Sequence, residues 1–157
     1  MKTQLLWVGK TDNPHVAALC DDYAQRLKRL IPFDIVTLAE AKNARTASPD
    51  CRKQIEGDAL LKRMQPGDRL VLFDERGSMM TSLQYADWLR RTLAGPHRAL
   101  VFAIGGPYGF SSDVYQRADE QISLSPMTLS HQLVRAFCLE QLYRACAIIH
   151  HLPYHHA

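Results

Sequence analysis

Two short segments of this chain carry almost no polar residue: RLVLFD over 69–74 and ALVFAI over 99–104. A strand with one face in water alternates apolar and polar side chains. These two do not alternate, so both of their faces must be buried. A sheet with strands of that kind needs helices on each side of it, which is the build of a parallel α/β protein. The rest of the chain supplies the helices. Val16, Leu19, Cys20, Tyr23, Leu27 and Leu30 fall at helical spacing and predict a helix from Pro14 to Leu30. Ser48, followed by Pro49, predicts a helix start and a helix to about Met64. Thr81 or Ser82 opens another to Leu93, Ser111 or Ser112 opens a short one, and the last runs from about His131 to His150. Further strands are predicted at Lys2–Gly9, Phe33–Leu38 and Gln121–Leu124. Ala41–Ala47 is expected to be a polar, mobile link and Glu75–Met80 a loop. The order alternates strand and helix throughout, which predicts an α/β sandwich around a mostly parallel sheet, in a single domain over residues 1–157.

Charge narrows the partners. The net charge of +3 is too small for a protein that coats nucleic acid, because phosphate affinity scales with the number of cations engaged. If RNA is the partner, shape must add to charge. Cys20, Cys51, Cys138 and Cys146 form no CxxC pair and read as buried, reduced thiols. No cleavable leader and no membrane-length apolar stretch is visible, so a cytoplasmic protein is expected.

Ligands of open α/β sheets bind beyond the carboxyl ends of the strands. Three loops leave such ends: Phe73 to Gly77, Gly105 to Gly109, and Leu124 to Leu129. The second reads GGPYG. It lets a ligand approach the backbone closely, and it serves equally as a plain tight turn. It is not GxGxxG and does not follow the first strand, which counts against a nicotinamide-dependent oxidoreductase. The third loop, with the hydroxyls of Ser123, Ser125, Thr128 and Ser130, suits an adenine edge or a helix entry. In the last helix, Arg135 and Arg144 read as phosphate ligands or as ordinary surface charges, and Glu140 is spaced to pair with Arg144. The tail holds His150, His151, Tyr154, His155 and His156, which suits a metal, a disordered terminus or stacking on an unpaired base.

Taken in order, these motifs resemble a known family. LLWVGK at the start, LFDERG over 72–77, AIGGPYGF over 103–110, SLSPMTLSHQLVRAFCLEQLYRA over 123–145 and PYHH over 153–156 are similar to the SPOUT-class, α/β-knot methyltransferases of the large-subunit rRNA methyltransferase H type. The resemblance implies a deep C-terminal trefoil knot, a rare exception to the usual connection rules. It implies S-adenosyl-L-methionine as cofactor, held by Phe73, Gly105, Gly106, Leu124, Ser125, Pro126, Met127, Thr128 and Leu129. It implies a homodimer whose partner chain completes or flanks the pocket. The substrate it implies is N3 of a pseudouridine in the helix 69 loop of 23S rRNA on the assembled 70S ribosome.

The chain departs from the family pattern at Phe73, where Leu is usual, at Ser130, where Pro is common, and in the tail His155-His156-Ala157. The first departure predicts a bulkier pocket wall. The sulfonium donor is already activated, so orientation is the main requirement. A uridine-type N3 carries a proton and needs a base or stabilisation of its anion. Tyr154 or His155 is expected to meet the base, with Arg144 stabilising negative charge or a phosphate, and His131 is the weaker candidate, expected to anchor its loop. A non-catalytic ribosome-binding factor and a His-tail metalloenzyme are the other readings.

Overall fold

The computed structural model describes residues 1–156, and Ala157 lies outside them. Five strands and five helices alternate: β1 (Lys2–Val8), α1 (Pro14–Lys28), β2 (Phe33–Leu38), α2 (Pro49–Arg63), β3 (Arg69–Met79), α3 (Ser82–Leu93), β4 (Ala99–Ile104), α4 (Ser112–Arg117), β5 (Glu120–Ser123) and α5 (Leu133–Ile149). The sheet order is β2-β1-β4-β3-β5, and every pairing is parallel. The two apolar runs, β3 and β4, are neighbours inside the sheet, as their composition requires.

Side chains alternate across the sheet into two cores. Leu5, Trp7, Val71, Phe73, Leu100, Phe102 and Ile104 face α1, α3 and α5. Leu6, Leu70, Leu72, Val101 and Ala103 face Leu60 of α2 and Val114 of α4. All six residues of β4 are buried, and each fully buried leucine or phenylalanine contributes about 1.5–3 kcal/mol. Helix starts follow the capping residues. Asn13 accepts from the His15 amide at 2.9 Å, Ser48 from Cys51 at 3.3 Å and Ser111 from Val114 at 3.4 Å. Thr81 and Gln84 close a reciprocal capping box.

Four expectations need correction. Residues 75–79 do not form a free loop. Phe73 pairs with Ile122, the chain leaves the sheet at 74–77, and Ser78 then pairs with the same Ile122. Gly77 makes this return: a Cβ there would stand 2.6 Å from the Gln121 carbonyl carbon. The Ala41–Ala47 link is not wholly polar surface: Ala44 is fully buried, and its amide donates to the Ala41 carbonyl at 3.0 Å. Cys51 is exposed, whereas Cys20, Cys138 and Cys146 are buried as free thiols.

The fourth correction concerns Arg135, which is neither a surface charge nor a phosphate ligand. It is buried, and it donates to the carbonyls of Val8 at 2.9 Å and Gly9 at 3.0 Å and to the Thr11 hydroxyl at 2.8 Å. These atoms lie just past the carboxyl end of β1, where the chain turns out of the sheet with no further strand to bind. A single cation from α5 satisfies them.

Candidate active site

The three loops expected to carry a ligand do meet. Beyond the carboxyl ends of β4 and β5, where β3 leaves the sheet, lies a cleft of about 620 Å³, within the range of roughly 300–1,000 Å³ typical of small-molecule sites. Phe73, Ile104, Leu124, Leu129 and Val134 supply its apolar wall. Asp74, Glu75, Arg76 and Tyr115 supply a charged rim on one side. Phe73 is less of an intrusion than its size suggests. Its ring stacks on Phe102 in the core, 5.2 Å between centroids, and only 8% of the residue is exposed.

The glycine loop is built for its own closure. Gly106 and Gly109 bridge to each other, and Gly109 has φ +82°. A Cβ on Gly105 would lie 3.2 Å from Gly109, and one on Gly106 would lie 2.4 Å from a carboxylate oxygen of Glu56. GGPYG is therefore a tight turn, and that turn forms one wall of the cleft. The opposite wall is shaped by Ser123, which donates to the Ser125 carbonyl at 3.0 Å, and by Ser125, whose hydroxyl accepts from the Met127 amide at 3.0 Å. Met127 is left 77% exposed there. Ser130 accepts from the Leu133 amide at 3.0 Å and starts α5.

Of the expected ligand residues, Phe73, Gly105, Gly106, Leu124, Ser125, Met127, Thr128 and Leu129 line the cleft. Pro126 belongs to the same loop but does not form its wall. His131 lines the cleft as well. Asp74 and Arg76 stood within an expected ligand loop without being singled out, and Tyr115 was missed. A lone tyrosine on a six-residue helix has no pattern that points to a site.

Arg144, Tyr154 and His155 are brought together, but not at this cleft. Arg144 binds Glu140 through Nη2 at 2.6 Å and Nε at 3.1 Å, so the predicted pair forms. Its Nη1 lies 3.2 Å from His155 Nδ1. The Tyr154 hydroxyl donates to Glu140 at 2.9 Å and receives the hydroxyl of Tyr23, also at 2.9 Å. Burial, followed by the bonds to Tyr23 and Glu140, pushes the Tyr154 phenol well above its ordinary value. Among the described residues no group of three or more His, Cys, Asp or Glu is placed to hold a metal, and no helix is long and apolar enough to cross a membrane.

A parallel five-stranded sheet with a cleft walled by the excursion of β3 and the loops after β4 and β5 defines an α/β protein with a cleft where open α/β sheets hold their ligands. The family model described as "Predicted SPOUT methyltransferase" matches residues 1–155. Three curated relatives, each called "Ribosomal RNA large subunit methyltransferase H", align over 99% of both chains. They come from Bacteroides thetaiotaomicron at 50% identity, Bacteroides fragilis at 46% and Flavobacterium psychrophilum at 45%. The chain belongs to the SPOUT methyltransferase family.

Proposed function

We propose that the chain methylates N3 of a pseudouridine in the helix 69 loop of 23S rRNA, with S-adenosyl-L-methionine as donor. It does so as a cytoplasmic homodimer acting on the assembled 70S ribosome. The observation that carries this reading is the cleft itself, walled by eight of the nine expected ligand residues in a chain that aligns end to end with large-subunit rRNA methyltransferases. The narrower target rests on the sequence motifs. The trefoil knot belongs to the same reading and is supported by the family.

The residues present fit the cofactor. The apolar wall of Phe73, Leu124 and Leu129 suits an adenine face, and the Gly105–Gly106 and 125–129 backbones suit its polar edge. S-adenosylmethionine brings an already activated methyl group, so the walls of the cleft need only orient it.

The tail cluster sits away from the cleft of its own chain, which supports a site completed by the partner's tail. Its chemistry is that of donors. A guanidinium only donates, so Arg144 makes His155 Nδ1 the acceptor and leaves the ring hydrogen on Nε2. The one Tyr154 proton is given to Glu140, so this hydroxyl helps to place the carboxylate that holds Arg144. Arg144 and His155, which keep N–H donors free, therefore stabilise the anion of the target base, and its N3 proton leaves to water.

The test is methyl transfer from labelled S-adenosylmethionine to 70S ribosomes, separated subunits and free 23S rRNA from cells lacking the gene. Label confined to 70S particles and mapped to the helix 69 loop is the expected result. Cofactor binding and stoichiometric ribosome binding without label would instead mark a non-catalytic ribosome factor.

A further inference from the structure

The excursion of β3 at residues 74–77 builds something the methyl-transfer reading has not used. Asp74 turns inward, its side chain 8% exposed, while Arg76 remains 72% exposed on the cleft rim. The Arg76 amide donates to Asp74 Oδ1 at 2.8 Å and its Nε approaches the same oxygen at 3.4 Å. Arg76 Nη2 donates to the Tyr115 hydroxyl at 2.7 Å, and that hydroxyl donates to the other Asp74 oxygen. The Tyr115 ring is fixed by an edge-on contact with Phe110, 5.8 Å between centroids, and the guanidinium lies 5.3 Å from the centre of the Tyr115 ring.

An exposed arginine ordinarily loses much of its binding energy to side-chain freedom. This one is held on three sides by a closed ring of hydrogen bonds, with donors on both terminal nitrogens left over. Such a group is preorganised for an oxyanion.

Which oxyanion follows from the neighbours. Asp74 and Glu75 place two carboxylates beside one guanidinium, so the rim is net negative. Burial raises the Asp74 carboxyl, but the bonds from Tyr115 and from the Arg76 backbone and side chain outweigh it and hold the group ionised. A polyanionic RNA strand would be repelled from such a rim. S-adenosylmethionine suits it, because its carboxylate is accompanied by an ammonium and a sulfonium and its net charge is positive. We propose that Arg76, held in place by Asp74 and Tyr115, binds the α-carboxylate at the methionine end of the cofactor. Arg76 is then the group by which the cleft distinguishes the whole cofactor from its adenosine half. The inference rests on the cofactor reading above.

The experiment is equilibrium binding, by titration calorimetry, of S-adenosylmethionine and of 5′-methylthioadenosine. The second ligand keeps the adenosine and the sulfur and lacks the amino acid. For Arg76→Ala the expected result is a loss of roughly tenfold to a hundredfold in affinity for S-adenosylmethionine, the range of a charge-assisted hydrogen bond, with methylthioadenosine affinity unchanged. Arg76→Lys should recover part of the loss. Tyr115→Phe, which keeps the ring and removes the bridging hydroxyl, should lose severalfold on S-adenosylmethionine alone. Equal weakening of both ligands would overturn the proposal, since it would mean that the cleft has collapsed. Unchanged S-adenosylmethionine binding together with weaker ribosome binding would also overturn it and assign Arg76 to RNA. Failure of the unaltered protein to bind either nucleoside would remove the cofactor reading itself, a result distinct from both.

Discussion

Arg144 donates to His155 across eleven residues of sequence, Nη1 to Nδ1 at 3.2 Å, and so sets which nitrogen of that ring carries hydrogen. A histidine held in this tautomer offers N–H to a substrate oxygen and is poorly placed to take the N3 proton. His155→Ala should lower methyl transfer to 70S ribosomes by roughly 10²–10³-fold, as expected for loss of a preorganised donor to a developing anion. Cofactor affinity should not change, since His155 does not line the cleft of its own chain. An unaltered rate in single-turnover labelling would show that the tail takes no part in the chemistry.

Gly106 in the cleft wall and Gly77 beside it in β3 differ in what blocks a side chain. At Gly77 an added Cβ meets the backbone of Gln121 at 2.6 Å, and a backbone within the sheet cannot move aside. At Gly106 it meets the end of Glu56 at 2.4 Å, and that carboxylate sits at the end of a flexible side chain. Gly77→Ala should therefore cost about 2–3 kcal/mol, the scale of a forced backbone shift, and weaken cofactor binding by opening the return of β3. Gly106→Ala should cost less. Thermal melts of the two variants, read beside cofactor titrations, check the order, and a reversed order would contradict the proposed obstruction.

The same contrast shows what was legible in the sequence. The apolar runs at 69–74 and 99–104 announced buried parallel strands because burial on two faces leaves a compositional mark. The helix starts at Ser48, Thr81 and Ser111 were legible because capping is local chemistry. The re-entry of β3 beside β5 was not, since ERGSM has no apolar alternation and its pairing is decided by Gly77 lying against a strand some forty residues later. Arg135 was misread for a related reason. Its three acceptors stand at residues 8, 9 and 11, and nothing near position 135 announces them. The loop 124–129 was legible from its place at a strand end and its residues from the resemblance, while Tyr115, on a six-residue helix, left no pattern to read.

Arg135 supports the fold through those acceptors and through Trp7, whose ring centre lies 4.9 Å from its guanidinium carbon. Replacing it by methionine keeps much of the volume and takes the side-chain donor from the carbonyls of half-buried Val8 and Gly9. A fully buried group left without a partner costs about 1–3 kcal/mol, so losing both donors at this half-buried place should cost Arg135→Met about 2–4 kcal/mol. At roughly 2–4 °C per kcal/mol for a chain of this size, the midpoint of unfolding should fall by about 5–15 °C. Calorimetry reads this directly. A shift below about 2 °C would mean that water or a neighbour satisfies those carbonyls when the arginine is gone.

Asp74 should leave a signature in acid. Its burial raises the carboxyl, the Tyr115 and Arg76 bonds lower it by more, and the net displacement is downward. A carboxylate whose folded value lies below its unfolded value of about 3.9 binds its proton more readily after unfolding. It therefore adds stability at neutral pH, and that increment fades as pH falls from about 5 through the folded value. Asp74→Asn removes the titration, so the variant should be less stable than the parent at pH 7 by about 1–2 kcal/mol, the scale of a charge-assisted bond. The two denaturation curves should draw together towards pH 3. Parallel curves at all pH values would show that Asp74 does not titrate on unfolding, and the ring it closes with Tyr115 and Arg76 would then owe nothing to its charge.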